Sequence, residues 1–141
     1  MRSLGLDIGD KRIGVALSDP GGILASPLTV INRGDESRDI EAIVDIIRQK
    51  QVGRVIVGLP LSMDGSLGKQ AEKVKAFTQR LCEQTQVPVE YRDERLTTVL
   101  AERLMRAAGN KKTGRKARDD AQAAALILQG YLDEGRELGL P

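Results

Sequence analysis

The chain has no histidine, no tryptophan and a single cysteine, and its aromatic residues are limited to Phe77, Tyr91 and Tyr131. Without histidine there is no Ser-His-Asp triad, no imidazole base and no imidazole metal ligand. One thiol, Cys82, makes neither an intrachain disulfide nor a cysteine-rich zinc site, and it suits a reducing compartment. Any metal must therefore be held by oxygen, which points to Mg²⁺ or Mn²⁺. So few aromatics do not build a stacking platform for single-stranded nucleic acid. Long apolar runs are also missing. The longest, residues 123–128, falls far short of the ~20 residues of a membrane span. An acid at Asp7 comes too early for a signal peptide. The expected location is the cytoplasm, with no membrane partner.

What is present reads as a folded chain. Its 141 residues, 40% hydrophobic and 30% charged, fit one domain over residues 1–141 with a core of its own. The formal net charge is only +2, but it is unevenly placed. Residues 103–118 carry Arg103, Arg106, Lys111, Lys112, Arg115, Lys116 and Arg118 with no acid among them. A basic stretch on an otherwise acidic body suggests an edge that faces a polyanion; the plainer alternative is a solvated loop.

Hydrophobic periodicity orders the elements. Over residues 3–9, Leu4, Leu6 and Ile8 alternate with Gly5, Asp7 and Gly9, the rhythm of a strand. Ile13, Val15 and Leu17 repeat it after the short joint Asp10-Lys11, which reads as a hairpin. Asp19-Pro20-Gly21-Gly22 is a turn, and residues 23–31 form a third extended run that Pro27 pushes toward a sheet edge. Ile40, Ile43, Val44 and Ile47 have helical spacing. Residues 54–58 resemble a buried parallel strand, and a loop over 59–65 follows. A second helix begins near Ser66 and carries Leu67, Ala71, Val74, Phe77 or Thr78, and Leu81. Residues 87–92 form another strand. Thr97 or Thr98 caps a third helix that ends at Gly109, 110–116 form a basic loop, and a last helix covers about 117–134. Three meandering strands followed by alternating helices and strands predict an α/β fold. Its mixed five-stranded sheet joins an antiparallel meander to a parallel βαβ part, with helices flanking it.

Three acidic positions stand out. Asp7 is expected mid-strand between Gly5 and Gly9, which leave a ligand room to approach. Asp93-Glu94 lies just past a strand end, where ligands bind in α/β sheets, although an acidic residue before a helix also favours the helix dipole. Asp119-Asp120 begins the last helix. Asp120 lines up with Ala124, Ile127 and Tyr131 on the apolar face, while Asp119 is about 100° away around the helix. Three carboxylates meeting at one point would repel one another, and divalent cations are the natural compensation. Two ions ~3.5–4 Å apart would activate water and steady the leaving oxygen of a phosphodiester. The basic segment would hold the polyanion.

Leu6-Asp7-Ile8-Gly9, Arg12-Ile13-Gly14-Val15-Ala16, Gly58-Leu59-Pro60, Asp93-Glu94-Arg95-Leu96-Thr97-Thr98 and Asp120 leading Ala123-Ala124-Ala125-Leu126-Ile127-Leu128 occur in that order. Together they resemble the YqgF/RuvX family of pre-16S rRNA nucleases, also called Holliday junction resolvase-like. The resemblance implies a ribonuclease H-like fold, with Asp7, Glu94 and Asp120 as catalytic, metal-binding acids. It also implies a cytoplasmic hydrolase that processes the 5′ end of the small-subunit rRNA precursor. The residue before the last acid is usually apolar in such proteins, whereas here it is Asp119. Lys11, Arg12 and Arg95 flank the acids and are assigned to substrate phosphates, with Lys111, Lys112, Arg115 and Lys116 as further nucleic-acid contacts. The ordinary alternative for each is surface charge. Branched DNA is the competing substrate, for a monomer or a homodimer, and a non-catalytic ribosome-assembly or transcription-associated module is the competing role. The actin-like ATPase alternative needs two such domains, and no P-loop is present.

Overall fold

The structure is a computed structural model that describes residues 1–94 and 116–137. It contains β1 (Arg2–Ile8), β2 (Arg12–Ser18), β3 (Ala25–Asn32), α1 (Glu36–Gln49), β4 (Val52–Leu59), α2 (Lys69–Gln84), β5 (Val89–Asp93) and α3 (Lys116–Glu137). One sheet runs in the order β3-β2-β1-β4-β5. β1, β2 and β3 pair antiparallel, while β4 pairs parallel with β1 and with β5. The expected meander joined to a parallel half is therefore the fold.

Alternation sorts the side chains into two layers. Leu4, Leu6, Ile8, Ile13, Val15, Val55 and Val57 face α1 and α2, where they meet Ile43, Val74, Phe77 and Leu81 in the larger core. Ala16 and Ile56 face the other way, against Ala123, Ala124, Ile127 and Leu128 of α3. The second layer is thin because its residues are small. A Cβ on Gly5 would lie 2.8 Å from the Cβ of Leu128 and 2.9 Å from the Ala124 carbonyl oxygen, so the glycine allows the helix to lie on the strand.

The α1 stripe is as expected: Ile40, Ile43, Val44 and Ile47 are all buried. The edge role of β3 also holds. Pro27 stands where the β2–β3 register shifts, a place where a residue without an N–H costs the ladder little. Two expectations need correcting. The second helix begins at Lys69 rather than near Ser66, with Gly68 as its N-cap. Leu67 therefore does not join its buried stripe and is 48% exposed. Residues 61–67 instead form a turn. The Ser62 carbonyl accepts from the Gly65 amide, and Asp64 Oδ1 accepts from the backbone and hydroxyl of Ser66. β1 ends at Ile8 rather than Gly9, so Asp7 is near the strand's end and not at its middle. The Gly9 amide instead donates to the Arg12 carbonyl and closes the hairpin. The expected helix from Thr97 or Thr98 to Gly109 and the expected loop at 110–116 lie outside the described residues, except Lys116, which opens α3 instead of ending the loop.

Candidate nuclease site

The candidate site forms at the end of the sheet where β1, β4 and β5 finish. Asp7 points to the α3 face, the same side as Gly5. Its partner across the β1–β2 ladder is Gly14. On the other flank, Leu6 pairs with Val57, which places Gly58 next to Asp7 on the same face. Asp7 thus stands between two positions without side chains.

The bare positions are covered from above by the other two acids. A Cβ on Gly14 would overlap the backbone carbonyl of Asp120, so the first turns of α3 rest directly on β2 there. A Cβ on Gly58 would come within 3.3 Å of Glu94 Cγ and 2.5 Å of Ile127 Cδ1. Glu94 follows the last residue of β5, Asp93, which pairs with Leu59. Asp7 thus lies in a narrow cradle between the start of α3 over Gly14 and Glu94 over Gly58. Asp7 and Glu94 are 8% and 4% exposed. Acids this buried are held at a cost that a bound cation would offset.

Arg12 closes the rim. As the first residue of β2 it projects toward α3, and its Nε donates to Asp120 Oδ2 at 2.7 Å. Lys11 is exposed on the preceding turn, and its carbonyl accepts from the Arg33 amide. That turn is tied to α2 by the ion pair of Asp10 with Lys73 at 3.5 Å. Farther out, Arg92 pairs with Glu134 at 2.6 Å, and Arg54 donates to the Tyr131 hydroxyl while lying 3.1 Å from Glu90. Tyr131 and the neighbouring Glu90 carboxylate keep the Arg54 guanidinium above its usual range, with the hydroxyl hydrogen bond as the largest cause. These pairs hold α3 against β4 and β5.

All the candidate donors are oxygen, the chemistry that suits a hard dication. The side chains are not closed into a ligand set. Among the described residues, no group of three or more His, Cys, Asp or Glu side chains is gathered closely enough to hold an ion, and Asp120 is turned to Arg12. Arg95, Lys111, Lys112 and Arg115 lie outside the described residues, as do the side chains of Lys116 and Asp119. Reading the sequence missed two features: the seating of α3 directly on Gly14, and the partnership of Arg12 with Asp120. The first carries a local signal, because the glycine interrupts an otherwise apolar strand. The second has none, since the partners are 108 positions apart.

The strand order, the acid at the end of β1 and the helix laid over it define a ribonuclease H-like α/β protein. The solved structure of Thermus thermophilus RuvC in complex with a Holliday junction substrate shares this fold. It superposes with a TM-score of 0.61 at 17% identity, covering 99% of this chain and 97% of that one. The chain belongs to the RuvX family, whose model, described as "Holliday junction resolvase", matches residues 1–134. Two relatives are each named "Putative pre-16S rRNA nuclease". That of Desulforamulus reducens is 47% identical over 96% of this chain and 98% of its own length. That of Thermoanaerobacter pseudethanolicus is 49% identical over 94% and 96%.

Proposed function

We propose that this protein is a dication-dependent nuclease that hydrolyses phosphodiester bonds of structured RNA, processing the 5′ end of the small-subunit rRNA precursor in the cytoplasm. The observation that carries this reading is the meeting of Asp7, Glu94 and the start of α3 over two glycines, in a chain whose relatives bear that name. Asp7, Glu94 and Asp120 would hold Mg²⁺ or Mn²⁺. Ions held there supply the charge that activates water and steadies the leaving oxygen of an in-line displacement.

The chain's own residues do the rest. Asp7 is fixed by the β1 ladder, and Gly14 and Gly58 beside it let the start of α3 and Glu94 approach its carboxylate. Glu94 and Asp120 flank it from β5 and α3. Lys11 and Arg12 stand on the hairpin beside them, placed to meet phosphate oxygens. Arg95, next to Glu94, and the basic residues Lys111, Lys112, Arg115 and Lys116, which lead into α3, extend that contact along the polyanion. Among the described residues no helix is long and apolar enough to cross a membrane.

Purified protein incubated with precursor rRNA and Mg²⁺ or Mn²⁺ should cleave it. Asp7→Asn should lose at least about 100-fold in rate while melting like the parent, on the scale of losing a principal electrostatic group. Cleavage that survives excess chelator, or a fully active Asp7→Asn protein, overturns the reading. The family model's description favours a second substrate, branched DNA. A four-way junction assayed beside precursor rRNA separates the two, with paired symmetric cuts by a homodimer as the mark of junction resolution.

A further inference from the structure

We propose that Arg12 is a built-in counter-ion of the acid site, one that a dication must displace from Asp120 before the site is complete. The inference rests on the dication reading above and concerns how this chain reaches that state. In the structure Asp120 Oδ2 accepts from Arg12 Nε at 2.7 Å, and both side chains are 29% exposed. On the dication reading the Asp120 carboxylate would, with Asp7 and Glu94, also hold an ion. A carboxylate oxygen engaged by a guanidinium at this distance is not available to an ion on the same side.

The placement shows why the exchange is local. Arg12 opens β2 immediately after the hairpin turn. Asp120 sits over Gly14, two residues along that strand. The backbone contact of α3 with Gly14 stays in place whichever partner the carboxylate takes, so only side-chain torsions need change. Arg12 is long and partly exposed, so its head can swing outward over the cradle once released. There it meets the face from which a phosphodiester arrives, and a guanidinium suits phosphate oxygens as well as a carboxylate. Arg12 is thus a positioning residue with two partners. It holds Asp120 when no ion is bound and is delivered to the substrate when one is.

The test reads ion binding rather than turnover. Mn²⁺ affinity is measured by electron paramagnetic resonance for the parent, Arg12→Gln, Lys11→Gln and Asp7→Asn. Independently, the Arg12 Nε–H resonance of the parent is followed during Mg²⁺ titration. Arg12→Gln should bind Mn²⁺ about three- to tenfold more tightly, the range expected for a partly exposed charge-assisted pair. Lys11→Gln removes the same charge from the adjacent residue and should change affinity less than about twofold. The Arg12 Nε–H should lose its exchange protection as Mg²⁺ saturates. Equal affinities for the parent and Arg12→Gln, or an Nε–H that stays protected at saturation, overturn the proposal and leave the dication reading standing. The same holds if Lys11→Gln tightens binding as much as Arg12→Gln, since the effect is then general charge. Mn²⁺ binding that is absent, or unchanged by Asp7→Asn, overturns both. Should Arg12→Gln fold poorly, the Mg²⁺ titration of the parent still decides.

Discussion

Asp7 is useful because of its neighbours' missing side chains. Gly14 and Gly58 flank it on the α3 face, and each is roofed by an element that carries another acid. Gly14 is the stricter of the two, because what it would strike is the Asp120 backbone carbonyl, which cannot rotate away as a side-chain tip can. Gly14→Ala should therefore lift the start of α3 and cost about 1–3 kcal/mol or more by overpacking. Gly34→Ala is the control, since nothing lies within 4 Å of its Cβ position, and it should stay within about 0.5 kcal/mol of the parent. Urea denaturation of the two variants checks this, and equal stabilities would show that α3 is not seated on Gly14. Asp7 and Glu94 can be singled out from the sequence because an acid within or just past a strand is chemically conspicuous. The cradle cannot. Glycine in a strand signals a close approach without naming what approaches, and Arg12 shows only its charge and not its partner.

At the scale of elements, periodicity carries most of the fold. α1 and the strands β1, β2 and β4 bury apolar residues at their expected spacing, and burying apolar surface is what a pattern records. The start of α2 departs from its pattern because Leu67 extends the stripe numerically, while the hydrogen-bonded turn at 62–66 delays the helix until Lys69. Side-chain capping of backbone amides leaves little trace in a hydrophobic pattern. The connection from β2 to β3 is built the same way. Asp19 Oδ1 accepts from the amides of Ile23 and Leu24 at 2.7 and 2.8 Å. These two bonds, that of Leu24 first, hold the carboxyl below its ordinary value of 3.8. A depressed carboxyl stabilises the folded state above the unfolded value, and that contribution is lost as pH falls through the folded one. The carboxyl carbon of Asp19 should therefore titrate below 3.8, with exchange protection of the Ile23 and Leu24 amides disappearing over the same interval. A midpoint at the ordinary value in a nuclear magnetic resonance titration would break the link between this turn and the acid.

At the scale of the molecule, charge is separated along the chain, and connectivity bounds how far the two signs can part. Asp7, Glu94 and Asp120 belong to the ends of β1 and β5 and the start of α3. The basic residues lead into α3, and Lys116 opens that helix only four positions before Asp120, about 6 Å of helical rise. Lys111 is five residues farther back, so a chain extending at most about 3.6 Å per residue keeps it within roughly 18 Å of Lys116. Connectivity alone therefore limits how far Lys111, Lys112, Arg115 and Lys116 can lie from Asp120. On the proposed function, a polyanion drawn by those cations would meet the acid site, and the carboxylates would not repel it if dications neutralise them first. Neutralising all four to glutamine in the Asp7→Asn background allows binding to be measured without cleavage. Affinity for precursor rRNA should fall for every sequence tested, and the slope of log affinity against log salt should flatten by roughly 0.7–0.9 for each phosphate no longer neutralised. A slope that does not change would place the four charges away from the substrate, and the hairpin cations Lys11 and Arg12 would then have to account for its capture.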